Sequence, residues 1–121
     1  MSKQVLHSVF TAQYRYAGLD RTDITVKGFD AYGKYFAPSW NMVFGVKNGT
    51  MSQQQYVDAY LKIIEDVPQR IWDWFFSRPT RTLVCFCAEE AFCHRNVLVN
   101  YLIQVHGDRI KHGGFRQKIT P

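Results

Sequence analysis

The stretch Thr82 to Arg95 carries the side chains best equipped for chemistry: Cys85, Cys87, Cys93, His94, Arg95 and the carboxylates Glu89 and Glu90. All three cysteines of the 121-residue chain fall within it. Thiolates attack electrophiles, imidazole moves protons, and a guanidinium clamps phosphate or carboxylate. The residues before the cluster read as a buried strand, and those after it as an amphipathic helix starting near 91–93. Side chains alternate along a strand, so Cys85 and Cys87 share a face. Cys87 lies nearer the C-terminal end, where parallel sheets bind ligands. The free N–H groups of the next helix face that same end and favour an anion.

Two chemistries follow. In the first, the helix start and Arg95 hold a phosphorylated or nucleotide-like anion, and Glu89 meets a ribose hydroxyl or neutralises Arg95. In the second, Cys87 or Cys93 is a nucleophile and His7 or His94 its base, because a thiol at a helix start ionises more readily. Neighbours on a helix diverge, so His94 is expected to serve a partner other than Cys93. The candidate catalytic residues are thus Cys87, Cys93 and His94. Sharper signatures are absent. Cys87 and Arg95 are eight positions apart, which rules out the Cys-x5-Arg loop of cysteine phosphatases. There is no Cys-x-x-Cys, Walker A loop, Gly-x-Gly-x-x-Gly or zinc-deaminase pattern. Cys85, Cys87, Cys93 and His94 are metal-ligand types, but divergence of Cys93 and His94 on a helix argues against convergence. No metal site and no cofactor are therefore expected.

The elements that must position this cluster can be read along the chain. Gln4 to Phe10 forms a first strand ending near Thr11, and the β-branched run Asp23 to Lys27 a second. Gly28 to Pro38 is a structured loop. Ser39 caps a short helix through Trp40 to Phe44, which Asn48-Gly49 ends. Pro38, Ser39 and Trp40 are placed to form a pocket wall. Ser52 caps the next helix, with Tyr56, Tyr60, Ile63 and Ile64 at helical spacing. Pro68 starts another helix carrying Ile71 to Phe76. Thr80 to Cys87 is the strongest strand. Phe92 to His106 is the strongest helix, with Gly107 as its stop. Arg109 to Lys111 forms a short last strand. The order implies one α/β domain over residues 1–121, with a small central sheet and helices packed on it.

The cluster and its surroundings resemble the domain-of-unknown-function 488 family, in which an apolar strand leads to Cys-Ala-Glu, a short loop, Cys-His-Arg and a helix. The matching residues are Cys87-Ala88-Glu89 and Cys93-His94-Arg95, followed by Val97, Leu98, Tyr101 and Leu102. Phe36-Ala37-Pro38-Ser39-Trp40, Tyr56, Tyr60 and Leu61 also match, and Leu6-His7-Ser8 keeps the family's His-Ser without its glycine. The resemblance implies a compact α/β fold with the motif at the end of a central strand. It points to His7, Ser8, Cys87, Glu89, Cys93, His94 and Arg95. If the first and third strands are neighbours, His7 and Ser8 come near Cys87.

A formal net charge of +5 favours anionic partners. After Asp108 the chain has no acid but carries Arg109, Lys111, Arg116 and Lys118. Arg15 and Lys27, at element ends, are further candidate anion contacts. Clustered cysteines cannot staple distant segments, and the N-terminus lacks an apolar signal core, so a reducing cytoplasmic setting is expected. No apolar run approaches a membrane span. The expected partner is an anionic, nucleotide-like small molecule bound or processed at the Cys-His-Arg turn. A cysteine-dependent enzyme is the alternative, with a nucleic-acid module using the basic C-terminal stretch and exposed aromatics ranked last.

Overall fold

The computed structural model describes residues 7–28, 30–85 and 93–116. Four strands, β1 (His7–Gln13), β2 (Arg21–Asp23), β3 (Thr80–Cys85) and β4 (Ile110–Arg116), form one sheet in the order β2-β3-β1-β4. Every pairing is parallel. The β2-to-β3 connection carries a 3-10 turn (Gly33–Phe36) and helices α1 (Trp40–Lys47), α2 (Gln53–Glu65) and α3 (Gln69–Phe75). The β3-to-β4 connection carries α4 (His94–His106) and a 3-10 turn (Gly107–Arg109). This is the expected α/β domain with a small sheet.

Both long crossovers step the same way across the sheet. Crossovers of one hand stepping in one direction lay their helices on one face. The main core shows the result, uniting Met42 of α1, Tyr60 and Ile64 of α2, Ile71 and Phe75 of α3, and Leu98 and Leu102 of α4 with Val9, Leu83 and Ile110 of the sheet. Strand alternation sends Ala12 and Val84 to the opposite face, where they meet Tyr16. Cys85 shares the parity of Leu83, so it belongs to the helical side.

Helix starts follow the sequence signals. Ser39 accepts from the Met42 N–H at the head of α1. Ser52 and Gln55 form a reciprocal capping box at the head of α2. Gly107, at φ 57°, closes α4 in a conformation that favours glycine.

The strands shift from their expected bounds. β1 ends at Gln13, two residues past its expected end near Thr11, and β4 extends to Arg116. β2 ends at Asp23, where the β-branched run begins. The Asp23 carboxylate accepts from the Thr25 N–H at 3.0 Å and the Thr25 hydroxyl at 2.6 Å, which bends the chain away from β3. A Cβ on Gly28 would lie 2.5 Å from the same carboxylate, so the turn closes only over glycine. Thr25 to Lys27 consequently form a loop at the C-terminal end of the sheet, where ligands bind in such folds.

Candidate functional site

Cys93 is the N-cap of α4, with extended backbone angles (φ −153°, ψ 146°). His94 is the first helical residue. The two therefore do not follow the helical step that would separate their side chains, and Cys93 Sγ lies 3.6 Å from His94 Nδ1. This corrects the expectation that these neighbours diverge. His94 Nε2 lies 2.6 Å from the Ile24 carbonyl oxygen. A carbonyl only accepts, so Nε2 carries the proton and Nδ1 presents its lone pair to the thiol. The edge of the Tyr60 ring supports the imidazole, at 5.5 Å between centroids. The Tyr60 hydroxyl donates to the Phe36 carbonyl at 2.6 Å. Burial pushes that phenol well above its ordinary 10.0, and Tyr56, Cys93 and Cys85 add to the effect.

Cys85, at the end of β3, completes the cluster. Its sulfur, the Cys93 sulfur and a His94 ring nitrogen all lie within 4.8 Å of one another, and all three residues are buried. Two elements thus meet at one point: the last described residue of the strand and the start of the helix that follows.

The cluster closes the inner end of a cavity of about 690 Å³. The Thr25–Lys27 loop, Pro38, α1 and Tyr56 of α2 make its walls. On α1, Trp40 and Phe44 are one helical turn apart and stack at 5.4 Å with an interplanar angle of 18°. Both are exposed, at 42% and 53%. Lys27 Nζ sits 5.9 Å from the Trp40 ring centre, and Lys47 follows from the last turn of α1. The described lining residues include two lysines and no carboxylate. The cavity therefore offers a flat aromatic ledge, positive charge near its walls and a thiol–imidazole cluster at its base.

The site residues expected from the sequence separate into four groups. Cys93, His94 and Lys27 line the cavity. Cys87 and Glu89 lie outside the described residues. Arg95 lies elsewhere: it is fully buried and donates from Nη1 to the carbonyls of Ala12 at 3.0 Å and Cys85 at 3.4 Å. Its guanidinium lies 5.4 Å from the Phe115 ring centre and is absent from the described cavity lining. It stitches β1 to β3. His7, Ser8 and Arg15 are also outside the lining.

The β1–β3 neighbourhood expected from the resemblance is present, but the parallel register sets Ser8 opposite Thr80 and Gln13 opposite Cys85. Ser8 is therefore five residues from the cluster end of the sheet, about 16 Å at roughly 3.3 Å per residue. His7 instead packs its ring on Phe76 and meets the Arg78 carbonyl at 3.1 Å. Arg15 is exposed in the turn after β1.

Sequence reading missed Phe44, Lys47 and Tyr56 as lining residues. A signal existed for the first two. Trp40, Phe44 and Lys47 recur at helical spacing on α1, an aromatic and cationic stripe that the main core does not claim. Tyr56 shares its period with core residues Tyr60 and Ile64, so nothing local distinguishes it.

Comparison with curated proteins and with solved structures gave no match. The family comparison gave one, to the active DUF488-N3 subclade (DUF488-N3a), over residues 3–106. That span includes the first strand, the cavity walls and the Cys-His-Arg turn, so the chain belongs to the DUF488 family.

Proposed function

We propose that this protein binds, and acts on, an anionic small molecule with a planar ring, of the nucleotide class, in the cavity between α1 and the Cys93–His94 turn. The observation that carries the reading is the lining itself: a stacked Trp40–Phe44 ledge beside Lys27 and Lys47, with Cys93 and His94 at the base. Its volume, about 690 Å³, falls within the roughly 300–1,000 Å³ of small-molecule sites. An aromatic ledge favours a base by stacking, and the lysines favour a phosphate. The matched subclade is described as active, which accords with reactive groups at the base.

A thermal-shift panel of nucleotides, dinucleotides and simple phosphorylated compounds tests this. A ligand at ~100 times its dissociation constant stabilises by about 2.7 kcal/mol, a shift of several degrees for a domain of this size. The shift is expected with one compound class and is lost in Lys47→Ala and Trp40→Ala. Both residues are exposed, so these variants keep the wild-type melting temperature without ligand. No response to any member of the panel overturns the reading.

The hydrogen-bond order favours a second reading, cysteine-dependent catalysis. Cys93 can pass its thiol proton to His94 Nδ1 while Nε2–H remains on the Ile24 carbonyl, an arrangement of nucleophile, base and orienting group. The sulfur would bond to an electrophilic substrate carbon, and the imidazolium would return its proton to the leaving group. In metal-free protein, Cys93 would then react with iodoacetamide faster than a free thiol near neutral pH. His94→Ala would remove that advantage. A Cys93 rate no faster than a free thiol removes this reading.

A further inference from the structure

We infer that Cys85, Cys93 and His94 form a binding site for a soft divalent metal ion, zinc(II) in character, at the wall of the cavity. The first support is distance. Two ligands on one tetrahedral ion, with bonds of about 2.3 Å to sulfur and 2.0 Å to nitrogen, stand about 3.5 Å apart. Cys93 Sγ and His94 Nδ1 stand 3.6 Å apart. The whole set spans no more than 4.8 Å, so modest side-chain rotation closes it on an ion.

The second support is the outer partner of the histidine. A ligating imidazole almost always donates its other ring N–H to a carbonyl or carboxylate, which fixes the tautomer and aims the lone pair. His94 does this through Nε2 and the Ile24 carbonyl at 2.6 Å, leaving Nδ1 toward the sulfurs. The Tyr60 ring holds the imidazole from the side.

The third support is charge. Binding one M²⁺ ion releases the two thiol protons to solvent and leaves two thiolates and a neutral imidazole around it, a net charge of zero. All three residues are buried, and a buried site tolerates a neutral assembly far better than a charged one. The α4 N-terminus further favours the thiolate of its N-cap Cys93. Two sulfurs and one nitrogen select zinc-like ions over magnesium or calcium, which prefer oxygen. Among the described residues the site offers three protein ligands, and three with one open position is the pattern of reactive rather than purely structural zinc sites. Cys85, Cys93 and His94 all line the cavity, so an ion held by them is within reach of a ligand bound there.

This inference goes beyond the proposed ligand class and does not depend on it. It competes with the free-thiol reading, since metal-bound thiolates are withdrawn from attack.

The test is an anaerobic titration of the full chain, in a Cys87→Ser background, with cobalt(II) and then zinc(II). The site predicts one cobalt per chain, an intense thiolate-to-cobalt charge-transfer band and its displacement by stoichiometric zinc. Cys93→Ser or His94→Ala in that background weakens binding by roughly 100-fold or more, beyond the 10–100-fold typical of losing an outer partner. A readout in the wild-type chain needs no substitution: zinc protects Cys85 and Cys93 from iodoacetamide, each followed by peptide mass. The inference is overturned by absence of the band at stoichiometric cobalt or by an undiminished band in Cys93→Ser. Equal alkylation of Cys93 with and without zinc overturns it as well. These outcomes are distinct from the nucleotide panel, which is run on metal-free protein.

Discussion

Arg95 carries a cation with no exposed surface, held against the carbonyls of Ala12 and Cys85 where β1 and β3 end. Hydrogen bonds from a charged donor contribute about 1.5–3 kcal/mol each, and truncating the side chain also leaves a void. Arg95→Ala is therefore expected to lose several kcal/mol in chemical denaturation, near the upper end for single substitutions. A loss below about 0.5 kcal/mol, the range of ordinary surface changes, would show that the stitch is unimportant. The same argument makes Arg95→Ala a poor probe of ligand binding, because lost stability would mask lost affinity. Cys93 differs in kind. Its backbone is extended rather than helical, and that single conformational fact turns a neighbouring histidine into a partner.

At the scale of elements, α1 and α2 divide the labour. α1 leaves Trp40 and Phe44 exposed beside the cavity, whereas α2 spends Tyr60 and Ile64 on the core and presents Tyr56 to the cavity. α2 therefore fixes the wall against which α1 packs. Its start depends on the Ser52–Gln55 capping box, with bonds of 2.8 Å and 3.1 Å. Ser52→Ala is expected to cost about 0.5–2 kcal/mol, the usual loss for an N-cap. Urea denaturation measures it, and an unchanged midpoint would mean that tertiary packing alone sets the helix start. The early end of β2 is the other element-level device. Asp23 diverts a run of strand-forming residues into a loop, and that loop supplies Thr25 and Lys27 to the cavity.

Across the whole molecule, the sheet is locked on the face away from the main core by a polar network centred on Asp20. Tyr16 donates to its carboxylate at 2.7 Å and Thr82 at 3.0 Å, while Arg116 of β4 stands at 3.5 Å. The network joins the β1–β2 turn to β3 and β4. Burial alone would raise the carboxyl. Hydrogen bonds from Tyr16, Thr80 and Thr82, with the charge of Arg116, outweigh burial and hold it below its ordinary 3.8. A carboxyl lowered in the folded state stabilises fully above its unfolded value, and that contribution disappears as pH falls through the folded one. Asp20→Asn is thus expected to be less stable than wild type at neutral pH, with the gap narrowing below pH 3.8. Denaturation midpoints of both chains from pH 7 down to 3 check this. A gap independent of pH would mean that shape, not charge, holds the network.

The sequence by itself determined the α/β class, the order of elements, the helix caps at Ser39 and Ser52, and the presence of a Cys93-His94-Arg95 turn between the third strand and the helix that follows it. These are local matters of hydrophobic period, capping chemistry and residue type, which a short window contains. The tertiary structure decided what each member of that turn does. Register sent His7 and Ser8 to the far end of the sheet, because parallel strands place residues by pairing offset and not by chemical type. Packing between β1 and β3 claimed Arg95, since their terminal carbonyls converge on its guanidinium. The bend at Asp23 carried the Ile24 carbonyl to His94, residues 70 positions apart in the chain. Such contacts arise from the sum of many backbone angles, which no single stretch of residues encodes.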